Sequence, residues 1–241
     1  KTPDLRKQIE HNREIISQKL TGSGTVKRLH NINWLRHQIS YEEPRTLFHV
    51  PAKSQAPLLD YNCMKNIGDA YDFIVDESHT DIVIDANAVR QIHAMLCANT
   101  NIDGGALRTT GKILEIQVNG QRMHAPDTCM VPYLLGETTY KMLNDKHSPI
   151  TRAFNIHYDL IALQPFDDFN KRTARMIMNW VLVQNGYRPI TFNYPSDKRD
   201  YRTAIAECAN GNTKAYNAYM YSCMLRTQHD IIKILKKARI L

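Results

Sequence analysis

Apolar residues recur every three to four positions along most of the chain, which is the spacing of amphipathic helices. This periodicity predicts a first helix over residues 5–20, which the glycine-containing stretch 21–24 would end, and a second over about 26–35. Three prolines within residues 41–60 predict an irregular connection. Helical spacing then resumes and predicts a third helix over about 64–74.

The second half of the chain combines one hairpin signal with a series of helical patterns. Asp85 is placed to cap a helix that carries Val89 and Leu96. Residues 112–123 alternate around Asn119 and Gly120, which indicates a tight hairpin. Helical periodicity predicts five more helices, at about 130–143, 148–163, 172–186, 198–210 and 213–238. The expected class is therefore an all-α fold with one hairpin.

The composition is that of an ordinary globular protein with one large or two small domains. The chain has 241 residues, of which 43% are hydrophobic and 23% are charged. No run approaches the ~18 consecutive apolar residues of a membrane-spanning helix, and the start at Lys1 lacks a signal-peptide pattern. The five cysteines are scattered without CxxC spacing, which disfavours a metal site and predicts a reducing compartment.

The net charge of +7 raises nucleic acid as a partner, but the distribution of the charge disfavours one. The basic residues are spread out apart from a cluster within 233–239, where cations complement the dipole of a helix end. Residues 13–39 fit a helix-turn-helix poorly, because the break is long and the second helix is not strongly basic at its start. We therefore expect a partner other than nucleic acid.

The segment 164–175 lies between two predicted helices and carries the most chemistry in the chain. Pro165 ends the preceding helix, because the residue before a proline is pushed away from helical dihedrals. Asp168 is an oxygen ligand suited to Mg²⁺ on a polyphosphate. Asn170 can bond a phosphate oxygen or stabilise the turn itself. These side chains would all lie close to the start of the next helix.

The start of that helix predicts an anion site. Its N-terminal N–H groups and the positive end of its dipole favour negative charge. Arg172 and Arg175 are three residues apart, so they occupy neighbouring positions on the first turns and suit two-point contacts with phosphate. Each residue also has a structural explanation when taken singly, Asp168 as an N-cap and the arginines as surface ion pairs. Together they favour an anion.

The same segment resembles the signature of the Fic (filamentation-induced-by-cAMP) family, His-Pro-Phe-x-Asp/Glu-Gly-Asn-Gly-Arg-x-x-Arg. The matching residues are Pro165, Phe166, Asp168, Asn170, Arg172 and Arg175. Further segments resemble the family's glycine-to-arginine entry, its flap hairpin and the helix after the flap: residues 105–108, 118–120, 124–126 and 131–132. The resemblance covers roughly residues 60–230.

The resemblance implies an all-α fold, a Fic-type helical bundle with a small β-hairpin flap, in which 1–60 is an N-terminal helical extension and 61–241 the Fic-like domain. It implies transfer of AMP from ATP, or of another nucleotide-derived phosphate group, to a Ser, Thr or Tyr hydroxyl of a target protein. It places Mg²⁺ at Asp168 and the nucleotide at Phe169, Asn170, Lys171, Arg172 and Arg175. The target would add a strand to the flap at Ile113, Leu114, Glu115, Ile116, Gln117 and Val118.

The first departure from the family pattern is Gln164, which stands where the family has the histidine that accepts the hydroxyl proton. A glutamine amide forms hydrogen bonds but takes up no proton near neutral pH. General-base catalysis typically contributes ~10²–10⁴-fold, so we expect binding with turnover nearly abolished. A natural and an engineered origin of Gln164 both stay open. His157, on the preceding helix, is interpreted as a packed residue and not as a replacement base.

Two further departures lie in the same turn. Lys171 stands where the second glycine is usual, and residues 170–173 are similar to the Doc branch, whose members phosphorylate their targets. Phe169 replaces the first glycine, and a bulky residue at positive φ costs of order 1–2 kcal/mol, which predicts a differently shaped turn. AMP transfer, a Doc-like protein kinase toxin and a non-catalytic nucleotide- or partner-binding pseudoenzyme all stay open.

The resemblance also bears on regulation and location. Many family members carry an inhibitory helix of the pattern Ser/Thr-x-x-x-Glu-Gly/Asn, and residues 203–208 come near it but end differently, so we assign them to a core helix. Regulation is then expected from a separate inhibitory chain or from residues 1–60. The resemblance implies a cytoplasmic protein of the producing cell or an effector secreted into a host cell.

Overall fold

The computed structural model describes residues 4–20, 56–76, 79–118, 120–192 and 196–237. These parts of the chain form eight α-helices: α1 (Leu5–Leu20), α2 (Ala56–Val75), α3 (Ala86–Cys97), α4 (Val131–Asn144), α5 (Pro149–Leu163), α6 (Asn170–Gln184), α7 (Ser196–Ala209) and α8 (Thr213–Lys237). They also form one hairpin, of strands β1 (Ile113–Val118) and β2 (Gln121–His124). The expected all-α fold with a small hairpin is confirmed, while the expected helix at 26–35 lies outside the described residues. None of these helices is long and apolar enough to cross a membrane.

Local capping explains where several helices begin and end. The Asp85 side chain accepts a hydrogen bond from Ala88 N–H at 2.9 Å and so caps α3. Gly186, at φ 78°, follows α6 in the left-handed conformation that glycine adopts readily. The predicted irregular connection was wrong for residues 56–60, which begin α2. Pro57 lies in the first turn of that helix, where a proline is tolerated.

The centre of the core is α6, in which residues 173–182 are all buried. Helix α5 packs along α6, and α2 and α3 pack on α6 as well. Helix α4 packs on α5, while α7 and α8 form a pair. This arrangement brings the turn between α5 and α6 against α3, since Asp168 O in that turn lies 3.2 Å from the His93 ring.

Helix α1 packs along α8 and shares the core with the rest of the bundle. Ile9 lies in the main core, and Ile16 packs with Ile231 and Leu235. The predicted domain boundary after residue 60 falls within α2. The division into an N-terminal extension and a Fic-like domain stays a prediction.

The hairpin turns at Gly120, which has φ 79°. Its strands are antiparallel, with a register shift between Ile113 and Gln117. Leu114 is buried in the main core, whereas Ile113 is 57% exposed. Helix α7 lies alongside β1, and within the described residues β1 pairs with β2 alone. The hairpin that the Asn-Gly signal predicted is thereby confirmed.

A buried chain of hydrogen bonds ties α5 to α7 and α8. His157 is fully buried, with Nδ1 2.7 Å from Tyr216 Oη and Nε2 2.9 Å from Tyr201 Oη. Tyr216 Oη donates to Phe154 O at 2.9 Å, so it accepts from His157 Nδ1–H, and Tyr201 donates to Nε2. Burial lowers the pKa of His157 to about 3, which keeps the ring neutral. The interpretation of His157 as a packed residue is confirmed.

Lowering the pH from 7 to 5 is expected to destabilise the fold by about 2 kcal/mol through His157 alone. The unfolded ring titrates near pH ~6.5, whereas the pKa in the folded state is about 3. Between these values the unfolded chain binds the extra proton, so stability falls as the pH falls. Urea unfolding across this range measures the slope. In a His157→Gln variant the free energy of unfolding should depend less on pH. An unchanged slope in that variant would show that His157 is not the source of the pH dependence.

Candidate active site

The turn between α5 and α6, residues 164–169, is bounded by two residues in the left-handed conformation; we name it the elbow. Gln164 has φ 47° and ψ 61°, and Phe169 has φ 58° and ψ 10°. A non-glycine residue in this region costs of order 1–3 kcal/mol, so surrounding contacts must hold it there. The bulk of Phe169 therefore does not keep this position out of the positive-φ region.

One brace of the elbow comes from His93 on α3. Its ring stacks on the buried ring of Phe166, with centroids 3.7 Å apart and an interplanar angle of 4°. Its Nδ1 accepts a hydrogen bond from Gly105 N–H at 2.8 Å, and its Nε2–H donates to Asp168 O at 3.2 Å. Burial lowers the pKa of His93 and so favours the neutral ring that this pair of bonds requires.

Asn170, the first residue of α6, braces the elbow from its other end. Its Oδ1 accepts from Phe166 N–H at 2.9 Å, and its Nδ2 donates to Phe166 O at 2.7 Å. The side chain is buried. The sequence left two roles open for Asn170, bonding a phosphate oxygen and stabilising the turn. The observed hydrogen bonds correspond to stabilising the turn. A contact between its side chain and phosphate stays a prediction.

Arg108, from the segment before β1, joins the elbow to both legs of the hairpin. Its side chain is buried, and its Nε donates to Gln164 O at 2.6 Å. One terminal nitrogen donates to Thr110 O at 3.0 Å, and the other donates to Pro126 O. The Arg108 N–H also donates to Pro165 O at 2.9 Å. A single residue thus contacts the elbow, the residues before β1 and those after β2.

Two further contacts hold the start of the hairpin on the elbow. Thr110 Oγ1 donates to Asp167 Oδ1 at 3.3 Å, and Lys112 Nζ donates to Asp167 O. Lys112 O in turn accepts from Ala125 N–H at 2.9 Å, which continues the pairing of the hairpin. Asp167, the variable position of the family signature, therefore serves as an attachment point for the hairpin.

The side chain of Gln164 is turned back onto α5. Its Nε2 donates to Ile161 O at 2.8 Å, and its N–H donates to Leu160 O at 3.0 Å. The amide and the backbone thus both take part in ending the helix. The position that the resemblance gives to the proton acceptor holds a group that takes up no proton near neutral pH.

Asp168 and Lys171 are exposed at the junction of the elbow and α6. Thr173 N–H, which donates to Phe169 O at 2.9 Å, belongs to the first turn of hydrogen bonds in α6. The N–H groups before it lie at the helix N-terminus, where an anion is favoured. Mg²⁺ on a polyphosphate takes most of its ligands from phosphate and water, so one exposed carboxylate such as Asp168 fits it. Within the described ranges no three His, Cys, Asp or Glu side chains form a metal cluster.

The two arginines of the predicted phosphate grip have different surroundings. The Cζ atom of Arg172 lies 4.2 Å from the centroid of the Phe169 ring, and its Nη1 lies 3.7 Å from Cys63 Sγ. Arg175 is only 2% exposed, and its Cζ lies 5.9 Å from the centroid of the Phe192 ring. A phosphate that touches both guanidinium groups therefore requires movement of the residues that cover Arg175. The shared grip stays a prediction.

Sequence reasoning missed the residues that brace the elbow from outside it. His93 follows Ile92 on the apolar face of α3, and this placement was the available signal that it is buried. Arg108 was noted only as part of a resembling segment, without its contacts. The position of Phe192 near Arg175 had no sequence signal, because it depends on how the chain returns after α6.

The fold and the site together define a class of protein, a helical domain with a hairpin flap. Its features are a buried helical bundle, a braced elbow with a candidate anion site and a hairpin fixed beside that elbow. Residues 83–182, which contain the elbow, Arg108 and the hairpin, match the model of the Fic/DOC family. The match covers this segment of the chain, and the resemblance to the Fic family that the signature indicated is confirmed there.

Curated relatives of the chain are named adenylyltransferases. Protein adenylyltransferase fic-1 of Caenorhabditis briggsae is 29% identical over 153 residues, which make up 61% of this chain and 28% of that protein. Protein adenylyltransferase Fic of Nematostella vectensis is 33% identical over 79 residues, 33% of this chain and 18% of that protein. The chain thus spans less than a third of the length of these relatives.

Solved structures show the same fold. A Fic domain-containing signalling protein from Bacteroides thetaiotaomicron superposes with a TM-score of 0.77 over 95% of this chain and 97% of that one, at 17% identity. The Bartonella effector protein BepC from Bartonella tribocorum, with bound AMPPNP, gives a TM-score of 0.53 over 77% of this chain and 96% of that one, at 18% identity. The Fic-type bundle is therefore confirmed.

Proposed function

We propose that this chain carries a Fic-type site for transferring AMP from ATP to a hydroxyl of a target protein, and that Gln164 impairs the transfer. The observation that carries the proposal is the elbow. Its two left-handed residues lie at the end of α5 and at the N-terminus of α6, separate braces hold the turn between the two helices, and the Asp168 carboxylate is exposed in that turn. The adenylyltransferase names of the relatives and the AMPPNP bound to BepC support it.

In this proposal the phosphates lie at the N-terminus of α6. Lys171 and Arg172 approach them from the first turn, and Arg175 joins once its cover has moved. The Phe169 ring, 4.2 Å from the Arg172 guanidinium carbon, restricts where that group can point. Asp168 is the residue that would hold Mg²⁺, which would supply neutralisation of the phosphate charge.

The impairment follows from the residue at the end of α5. A target hydroxyl needs a group that removes its proton as it attacks, and the Gln164 amide takes up no proton near neutral pH. Two buried histidines do not replace it. Both ring nitrogens of His93 and of His157 have hydrogen-bond partners inside the protein.

The target is proposed to dock as an extended strand along β1, over Ile113–Val118, because β1 pairs with one strand only within the described residues. The partner is then a protein with an accessible Ser, Thr or Tyr. We place the reaction in the cytoplasm of the producing cell or of a cell that receives the protein as an effector. Scattered thiols fit a reducing compartment, and BepC is named an effector.

Nucleotide binding to the chain as it stands is the first test of the proposal. MgATP and MgAMPPNP are expected to raise the melting temperature in a dose-dependent way. Arg172→Ala should weaken this binding about 10–100-fold, because a charge-assisted hydrogen bond contributes about 1.5–3 kcal/mol. Arg199→Ala is the matched control, since the Arg199 side chain is 90% exposed and pairs with its neighbour Asp200. Equal loss in both variants, or no stabilisation at all, would count against the site.

A further inference from the structure

The buried guanidinium of Arg108 meets carbonyl groups from three separate segments. It bonds Gln164 O and lies 3.5 Å from Leu163 O at the end of α5. It bonds Thr110 O before β1 and Pro126 O after β2. Burying a charged group is unfavourable unless polar partners replace its water, and these carbonyl oxygens supply them. The planar fork of an arginine suits such divergent acceptors, whereas a lysine ammonium is a compact point charge.

The nucleotide end of the elbow has a different support. His93 and Asn170 hold Phe166 and Asp168 by stacking and hydrogen bonds. Neither of these side chains bonds a residue of the hairpin in any contact described above. The elbow therefore has two braces with different attachments. The Arg108 brace fixes the end of the elbow that follows α5 to the hairpin. The His93 and Asn170 brace fixes the end that leads into α6.

We propose that Arg108 is a positioning residue that sets the flap in register with residue 164, so that a docked target strand and the proton-accepting position move as one piece. The His93 and Asn170 brace independently maintains the nucleotide end. This inference rests on the proposed function for its catalytic part. The mechanical part is independent of any activity: Arg108 is the buried link between flap and elbow, beside the more exposed contacts of Thr110 and Lys112 with Asp167.

Amide hydrogen exchange tests the mechanical part on the chain as it stands. Arg108→Gln is expected to raise exchange about tenfold or more in 113–118, 121–124 and the end of α5, while amides of α1 and α8 stay unchanged. Arg90→Gln is the matched control, because Arg90 Nε donates to Gly105 O at 2.8 Å, close to the same segment. It should leave the flap as it is. A uniform rise across all helices would reveal a merely structural role and overturn the proposal, as would an unchanged flap.

The catalytic part is tested in the Gln164→His background, with labelled ATP and the proteins of a cell lysate as acceptors. Arg108→Gln is expected to lower the rate of labelling on the order of 10²-fold, as misplacement by about 1 Å does in other enzymes. The dissociation constant for MgAMPPNP should change by less than about threefold, since the second brace is intact. Arg108→Lys keeps the charge but not the planar guanidinium group. Its labelling rate should lie between that of Arg108→Gln and that of the protein with Arg108.

The outcomes separate the inference from the proposed function. Loss of labelling together with an equal loss of MgAMPPNP affinity would overturn the division between the two braces. Absence of labelling in the Gln164→His protein itself, with the localised rise in exchange present, would leave the mechanical clamp supported and count against the transferase. Labelling that survives Arg108→Gln at full rate would overturn the positioning role.

Discussion

Replacing Gln164 with histidine is expected to raise the rate of AMP transfer about 10²–10⁴-fold, the range that a positioned general base contributes. The fold supports the exchange, because Gln164 already occupies the left-handed end of α5 and its backbone bonds to Leu160 and Arg108 do not depend on its side chain. An imidazole there titrates near neutral pH and can take the hydroxyl proton. Initial rates of label transfer from ATP measure the effect.

Gln164→Asn is the matched control for this gain. Asparagine tolerates the left-handed conformation better than most residues and carries the same kind of amide, so it tests whether relief of strain alone restores activity. We expect no increase with Gln164→Asn. Equal rates in both variants would show that proton transfer at position 164 is not what limits the reaction.

Truncating Phe166 to alanine is expected to cost about 3–5 kcal/mol of stability, the usual range for a buried phenylalanine, and to abolish nucleotide-induced stabilisation. The ring is fully buried and stacks on His93. Asn170 bonds both the N–H and the carbonyl of residue 166, so removal of the ring leaves a cavity next to this braced backbone. The elbow then loses the support for its two unfavourable backbone conformations. Urea unfolding and titration with MgAMPPNP measure the two effects.

Phe154→Ala separates the loss of stability from the loss of the elbow. Phe154 is also fully buried, and its ring packs against Tyr221 at 5.2 Å, in an edge contact between α5 and α8. A comparable loss of stability is expected, while binding of MgAMPPNP by the folded protein is retained. If Phe154→Ala removed nucleotide binding as completely as Phe166→Ala does, the elbow would have no special part in it.

Local signals predicted much of the fold. Apolar spacing indicated α1 and α8 with ends close to those observed, and Asp85 marked the start of α3 through its own side-chain cap. The Asn-Gly pair placed the hairpin turn at Gly120. The start of α6 was predicted two residues late, because Phe169 caps it without a side-chain hydrogen bond and so leaves no recognisable signal.

The sequence indicated which residues form the candidate site, but it did not indicate which distant residues hold them in place. Asp168 and the helix N-terminus follow directly from the segment and its resemblance to the family. The braces from His93 and Arg108 join residues 75 and 56 positions apart, and such contacts arise from the packing of α3 and the hairpin on the elbow. The proximity of Phe192 to Arg175 is of the same kind, since the chain brings the two together only through its return after α6.

Two departures from the family signature, Phe169 and Lys171, lie where the elbow leads into α6. Phe169 has a positive φ, and its carbonyl accepts two hydrogen bonds from Thr173, from N–H at 2.9 Å and from Oγ1 at 3.0 Å. Lys171 adds an exposed cation beside the proposed phosphates. These residues bear on whether AMP or a terminal phosphate is transferred, since that choice depends on which phosphate the turn holds nearest to the attacking hydroxyl.

The most direct measurement uses ATP labelled at the α-phosphate or, in a parallel reaction, at the γ-phosphate. The Gln164→His protein is incubated with Mg²⁺, a cell lysate and one labelled form, and the modified hydroxyl is located by mass spectrometry. AMP transfer predicts covalent label from the α-phosphate form only, with little label when Gln164 is present. Label from the γ-phosphate form alone would identify phosphate transfer, and no label from either form would contradict a transferase site at the elbow.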